Sequence, residues 1–526
     1  TATVASNSGT CTPTGTVDFY LGGTTKLGSG TLAVVGGQDQ ASFSTSALPA
    51  GSDGVTASYA GGGVFAASSS AALIQTVSKA TLTVAADNQT MAYGAPVPAP
   101  TYTPSGFVNG DAASVLSGAP SLSTPATSTS APGQYPITSG QGTLATANYT
   151  FTLVPGTLTV TKANQAITFG SLAGIPYGDT VTLSATGGGS GNPVTFAAGP
   201  SSVCTASGPN GGAIQAVGFG QCTVTASQAG NADFIAAPDV RQGFQVTKAS
   251  TTTGLGASPN PVTFGQAVTL TATVAVSAPG AGVPSGSVDF YDGAAKLGSG
   301  ALAAVNGQNR ASFTTSALPP GSHQISATYG GDTDFAGSTT TGPVAEAVTC
   351  TTTIGQPAGN LVVSGGATCV AAGARVAGSI QVQPGASLWL AGATVTGAVK
   401  SSGASAVVIC GSTLPQLDVR GTTGYVLIGG DGDDPGAPCA ANTIHGAVHL
   451  DGNRGGLELG GNRITGTVQV TNTAGSGPDA EDAAAEIEGN TIGGSLQCSG
   501  NTPSPTDDGQ PNAVTGARSG QCAAGF

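Results

Sequence analysis

The chain has 526 residues, too many for a single hydrophobic core, and length alone predicts three to five domains. Its 85 glycines and 32 prolines mark a turn-rich polypeptide, and its apolar residues keep a strand period, so folded β-modules are expected. Only 7% of residues are charged and the net charge is −13, which argues against nucleic acid and anionic membrane as partners; no apolar run reaches the roughly 18 residues that span a bilayer.

A repeated tag divides the chain. Val77-Ser78-Lys79-Ala80 returns as Val160-Thr161-Lys162-Ala163 and Val246-Thr247-Lys248-Ala249, at intervals of 83 and 86 residues. Recurrence at that interval signals tandem domains. Each tag closes a short alternating run, such as Leu158-Thr159-Val160, as a last strand does before a linker. Lys-Ala without Gly or Pro makes that linker short and semi-stiff.

Residues 1–80 and 250–348 are copies. Val17-Asp18-Phe19-Tyr20 matches Val288-Asp289-Phe290-Tyr291, Lys26-Leu27-Gly28-Ser29-Gly30 matches Lys296-Leu297-Gly298-Ser299-Gly300, and Ser46-Ala47-Leu48-Pro49 matches Ser316-Ala317-Leu318-Pro319. About seven short strands with turns every 8–12 residues predict a β-sandwich. The order of these blocks resembles the bacterial Ig-like repeat family of surface proteins. Thr1-Ala2-Thr3-Val4 matches Thr271-Ala272-Thr273-Val274, inside the later copy, and Thr251–Leu270 have no counterpart. The sequence is therefore expected to begin within a domain of a longer chain, so missing targeting signals carry no information on location.

Residues 81–163 differ: Tyr93-Gly94, Tyr102-Thr103, Gly106-Phe107-Val108-Asn109-Gly110-Asp111 and Asn148-Tyr149-Thr150 stand in order. This pattern resembles the MBG family of bacterial surface repeats and implies another β-sandwich. Residues 164–249 carry Tyr177-Gly178-Asp179 and Gln221-Cys222-Thr223-Val224 and resemble a further Ig-like repeat, in which Cys204 and Cys222 are expected to bridge. Closing that loop is worth about 3 kcal/mol in the chain-entropy description.

Over residues 349–526 the period shortens. Val376, Val395, Leu414, Ile444, Ile464 and Ile492 form one apolar column, at steps of 19, 19, 30, 20 and 28. Ile380, Val399, Leu417, Val448, Val468 and Leu496 form a second, and Leu388/Leu390, Val407/Ile409, Val426/Ile428, Leu457/Leu459 and Ile487 a third. Three short strands per turn of roughly 19–20 residues predict a β-solenoid, and the two long steps hold inserts. The pattern resembles right-handed parallel β-helix domains of secreted bacterial proteins. Asn442, Asn462 and Asn490 recur at one corner, where stacked amides can form a ladder.

Nine cysteines without a Cys-x-x-Cys pair point to disulfides in an oxidising compartment. Cys350 and Cys369 lie one rung apart, Cys410 and Cys439 flank the first insert, and Cys522 is placed to tie the tail back to Cys498. Cys11 is left over, its partner expected outside this sequence.

Outward positions on successive rungs hold Lys400, Asp418 and His449, with Arg420 and Asp451 two residues further along. One reading is a sugar-binding or sugar-cleaving face, with Asp418 and Asp451 as the two carboxyls that glycosidic acid–base chemistry needs. The other is an exposed ladder of opposite charges, Lys400–Asp418 and Arg420–Asp451, that keeps the face soluble. Trp389, the only tryptophan, is placed outward, either to stack on a sugar ring or to cover a neighbouring turn. Asp431, Asp433 and Asp434 resemble a calcium loop, but Pro435 and Asn442 depart from the EF-hand pattern, so a solvated acidic turn is the alternative. His445 and His449 lack a placed third metal ligand.

The sequence thus predicts an all-β protein, tandem Ig-like sandwiches followed by a β-solenoid. It is expected outside the cell, secreted or attached to a bacterial surface, as a structural or adhesion protein whose partners are surface glycans or a host or neighbouring cell surface. The alternatives are a polysaccharide lyase or hydrolase and a non-catalytic glycan- or calcium-binding module. No cofactor is expected other than calcium.

Overall fold

The structure, a computed structural model, describes residues 1–7, 9, 11–430, 439–475 and 484–526. It is all-β: among the described residues the only helical turns are the 3-10 segments Ala113–Val115 and Pro209–Gly211. Among the described residues no helix is long and apolar enough to cross a membrane. The chain divides into two compact units: Thr1–Phe169 with Ala185–Thr195 and Ala226–Val240, and Gly170–Ser184 with Phe196–Thr225 and Arg241–Phe526.

In the first unit, residues 1–80 form two small sheets around Val17, Phe19, Ala41 and Tyr59. The motif Leu27-Gly28-Ser29-Gly30 repeats for steric reasons. A Cβ at Gly28 would collide with the Phe43 ring, and Gly298 stands in the same relation to Phe313. Lys26 and Ser29 both bond Asp18, at 2.8 and 2.6 Å, and Lys296 and Ser299 repeat this on Asp289. Residues 81–163 form a second sandwich. Ala80–Ala86 pairs with Tyr102–Ser105 and, in parallel, with Tyr149–Val154. The facing sheet runs Gln89–Ala92, Gly156–Thr161, Gly133–Gly140, Ser121–Ser123.

The recurring tag is a built joint. The Ala80 N–H donates to the carbonyl of Asn148, which precedes Tyr149. In the same way Ala163 donates to Asp233, before Phe234, and Ala249 to Asp334, before Phe335. Lys162 Nζ donates to the Asn231 carbonyl at 2.7 Å, and Lys248 Nζ to that of Asp332. Ala therefore recurs where each joint fixes the linker to a loop of the following module, and Lys adds a second bond at the joints of Lys162 and Lys248. An aromatic-Gly turn adds a second contact: Tyr93 meets Phe234 edge-on at 5.5 Å in the first unit, and Tyr177 meets Phe335 at 5.2 Å in the second.

The second unit holds the disulfide Cys204–Cys222, the sandwich of residues 250–348 and the solenoid. Strand Val268–Val276 alternates buried and half-buried residues, as a strand with one face on a core must. Its neighbours are Thr251–Ser258 and Gln308–Thr315. The facing sheet contains Val262–Thr263, Val344–Thr349, Gly321–Tyr329, Ser287–Asp292 and Ala295–Ala301.

From Thr352 the chain winds through three parallel sheets of seven, eight and seven strands among the described residues. All three sequence columns face inward: Val376 pairs with Val395, Val399 with Leu417, and Leu388 with Val407. Their side chains are essentially fully buried. One corner carries the amide ladder, longer by one rung than the sequence columns indicate. The side-chain amides of Asn442, Asn462 and Asn490 donate to the Oδ1 of Asn462, Asn490 and Asn512 at 2.8–3.0 Å. Each amide also bonds a carbonyl, such as Asn462 to Ile428. A second corner repeats the device with Asn453, Asn501 and Gln521. Cys350–Cys369, Cys410–Cys439 and Cys498–Cys522 are bonded, and Cys11 is an exposed free thiol.

The change of period at Cys350 is not a break in packing. Phe264 and Val268 of the sandwich share one apolar cluster with Ala406, Val408, Tyr425 and Leu427 on the outer face of the first solenoid sheet. Gly265, at φ +80°, lies so close that a Cβ there would collide with Ser387 Oγ. This corrects the sugar-platform reading of Trp389. Its ring packs edge-on against Phe264, at 5.4 Å and 78°. The Phe264-Gly265 turn makes the same kind of aromatic contact as Tyr93-Gly94 and Tyr177-Gly178.

Candidate functional site

The charged face lies on the eight-stranded sheet of the solenoid. Strands Val399–Ser402, Leu417–Arg420 and Val448–Asp451 are adjacent and parallel, and strand alternation buries Val399, Leu417, Val419, Val448 and Leu450. The intervening side chains point out of the sheet. Lys400, Asp418 and His449 occupy one column, and Arg420 and Asp451 stand opposite each other in the next. Gln469 and Gln497 continue the first column and bond each other at 2.9 Å.

The pairing differs from the expected cross-rung ladder. Arg420 folds back along its own strand and grips Asp418, Nε to Oδ1 at 2.7 Å and Nη2 to Oδ2 at 3.2 Å. A fork of this kind satisfies both carboxylate oxygens at once. Arg420 Nη2 also donates to His449 Nδ1 at 3.0 Å, while Asp418 Oδ1 lies 3.3 Å from the same nitrogen. The two contacts compete for one nitrogen: a bare Nδ1 accepts from Arg420, and a protonated Nδ1 donates to Asp418. Asp451 is held instead by Thr471 Oγ1 at 2.8 Å and Asn472 Nδ2 at 2.9 Å. Lys400 is exposed and in no ion pair among the described residues.

The electrostatics follow from these contacts. Partial burial pushes the Asp418 carboxyl up, but the bonds and charge of Arg420, with His449 behind them, outweigh it and hold the group below the usual range. The bonds from Asn472 and Thr471 hold Asp451 low as well, with smaller help from His449 and Arg420. Both acids are therefore carboxylates at neutral pH. The arrangement offers hydrogen-bond acceptors, a guanidinium and an imidazole to a polar ligand. It offers no protonated carboxyl.

Three of the five sequence candidates, Asp418, Arg420 and His449, thus meet, while Asp451 stands beside Arg420 on other partners and Lys400 shares only their face. Thr471 and Asn472 were not singled out, although Thr471 occupies the column of Asp451 one rung on. Asp431, Asp433 and Asp434 lie outside the described residues. Among the described residues no group of three His, Cys, Asp or Glu side chains is placed to hold a metal ion.

Comparison with known families places two module types. Residues 1–78 and 255–351 match the bacterial Ig-like domain (group 3), and residues 82–159 match the MBG domain (YGX type). No curated protein matches the chain. Among solved structures the chain is similar to the N-terminal eight Ig domains of Down Syndrome Cell Adhesion Molecule, at 11% identity and TM-score 0.15, covering 66% of this chain and 58% of that one. It is also similar to domains 4–9 of the surface layer protein SbsC, at 13% and 0.15, covering 64% and 48%. A third is the Bacteroides ovatus mixed-linkage glucan utilization locus protein SGBP-B, solved with a mixed-linkage heptasaccharide, at 14% and 0.12, covering 42% and 54%. The chain spans about half the length of each, and at these scores none bears on function.

Proposed function

Taking as premise a chain of bacterial Ig-like and MBG modules ahead of a parallel β-solenoid, we propose an extracellular structural and adhesion protein, secreted or attached to a bacterial surface. The tandem modules act as spacer and the solenoid as recognition head. The ligand class is a surface glycan, met by the face of Asp418, Arg420, His449 and Asp451. The carrying observation is that Arg420 holds Asp418, and Thr471 with Asn472 hold Asp451, as carboxylates. Cleaving a glycosidic bond by acid–base catalysis needs one of its two carboxyls protonated. Two carboxylates beside a guanidinium suit hydrogen bonding to sugar hydroxyls instead. The joint at Trp389 supports a head carried on the last Ig-like module.

A glycan array probed with the full chain tests the reading. Binding to a defined set of glycans that is lost in Arg420→Ala and Asp418→Ala is the expected result. An array on which wild type and both variants behave alike removes the assigned face.

A further inference from the structure

The Ig-like module that carries the solenoid holds a buried set of titratable groups that its copy lacks. Glu346 and His323 stand opposite each other on Val344–Thr349 and Gly321–Tyr329, and both are buried. His323 Nε2 lies 2.7 Å from the Pro319 carbonyl, and Nδ1 lies 2.6 Å from Asp292 Oδ2. The imidazole and Asp292 thus satisfy each other, and no counter-ion is bonded to Glu346. That residue is 0% exposed, and neither of its carboxyl oxygens has a hydrogen-bond partner. Burial pushes the carboxyl up, against weaker pulls from His323 and from the N–H groups of Val262 and Ala347. Val262–Thr263, Thr251–Ser258 and Val268–Val276 bring no titratable group to it. Elsewhere in the module Arg310 is engaged by Gln308, and Lys296 by Asp289. In the copy over residues 1–80, Gln75, Asp53 and Leu21 occupy the positions of Glu346, His323 and Asp292.

The Val262 N–H that acts on Glu346 belongs to a short strap that also holds the solenoid. Val262–Thr263 pairs in parallel with Val348 and Thr349, just beyond Glu346. The next two residues, Phe264 and Gly265, pack on Trp389 and Ser387. The strap is fastened by the Phe264 N–H to the Thr349 carbonyl at 2.9 Å and by Asn260 Nδ2 to the Ala345 carbonyl at 2.7 Å. We infer that Glu346 is a pH-sensitive latch on the joint between this module and the solenoid. Uncharged, it lets the strap close over it; once its proton is lost to solvent, the carboxylate admits water by lifting Val262–Phe264 and so loosens the hold on Trp389. An ionised carboxyl without bonded partners is not tolerated in a buried site. The strap opens most easily because it is a two-residue strand, whereas Gly321–Tyr329 has nine residues. The favourable contribution of the uncharged group to the closed joint is present below the ordinary value of about 4.5 and is lost as pH rises through the raised one. The latch is independent of the charged face of the solenoid.

The test follows the emission of Trp389, the only tryptophan, and hydrogen exchange of the Phe264 amide in the full chain from about pH 4 to about pH 8. After correction for base-catalysed exchange, protection of the Phe264 amide is expected to fall by up to about tenfold per pH unit through the titration. Trp389 emission is expected to move to longer wavelength over the same range, while the amides of Val268–Val276 keep their protection. Glu346→Gln, uncharged at every pH, is expected to hold the closed-state emission and protection throughout. The same pH response in Glu346→Gln would assign it to His323 and overturn the inference. So would a wild type whose Phe264 protection and Trp389 emission do not change with pH. If Glu346→Gln misfolds, the wild type still decides: protection lost equally from Phe264 and Val268–Val276 is unfolding of the whole module and contradicts a latch.

Discussion

Replacing Trp389 tests whether the last Ig-like module and the solenoid form one mechanical piece. The ring is half-buried against Phe264 and sits over an apolar cluster shared by both domains. Truncating a fully buried tryptophan costs about 3–5 kcal/mol, so a half-buried one is expected to cost about 2–3 kcal/mol. Of this, about 1 kcal/mol belongs to the edge-on pair itself. In calorimetry of the full chain, the transition of the second unit is expected to fall by about 5 °C in Trp389→Ala and to split as the sandwich uncouples from the solenoid. A double-mutant cycle with Phe264→Leu and Trp389→Leu isolates the pair and is expected to give a coupling of about 1 kcal/mol. Additivity within about 0.3 kcal/mol would refute the joint. Loss of glycan binding in Trp389→Ala without a change in melting would instead return the ring to the sugar-platform role.

Asn462→Ala removes the middle of the amide ladder, taking the acceptor from the Asn442 backbone N–H and from one of its two side-chain bonds and the Asn462 donor from the Ile428 carbonyl, in a buried corner; a loss of about 3 kcal/mol by denaturant unfolding is expected, against no change if the ladder is dispensable. Glu346 is fully buried opposite His323, and burial raises its carboxyl above the ordinary value despite the nearby imidazole. Its favourable contribution is present below the unfolded value of about 4.5 and is lost as pH rises through the raised folded value. Glu346→Gln is therefore expected to raise the melting temperature of the second unit at pH 7 and to lose that advantage in acid; a lower melting temperature at pH 7 counts against it. Asp418 is shifted the other way, so its contribution is present above the unfolded value near 3.8 and lost as pH falls through the lowered folded one. Asp418→Asn is expected to flatten the acid limb of the solenoid's stability profile, and an unchanged limb contradicts the Arg420 pairing.

Much of the fold was legible because periodicity reports directly on burial. The three apolar columns gave the rungs in register, since each strand buries alternate residues. Copying gave the sandwiches, and steric need for Gly28 and Gly298 is why the copied motif persists. The joints were legible only as a tag: Lys162 and Ala163 stand out in sequence, but their acceptors, Asn231 and Asp233, lie about 70 residues away. The role of Trp389 was left open between two readings for a related reason. An outward position on a strand does not say whether water or another domain covers it, and the clue was the aromatic-Gly turn shared by Tyr93, Tyr177 and Phe264. The charged face was found as a set because rung register aligns its columns. Its internal pairing was not, because Arg420 reaches Asp418 along its own strand as readily as Asp451 across rungs.

Recognition without turnover is the property that separates an adhesive head from an enzyme. The direct measurement incubates the full chain with a polysaccharide it binds and follows new reducing ends and unsaturated sugar products beside a binding isotherm. A saturable isotherm with no product above the level of an Asp418→Ala, Asp451→Ala control is predicted. Product formed by the wild type and abolished in that control would contradict the account and make the two aspartates catalytic.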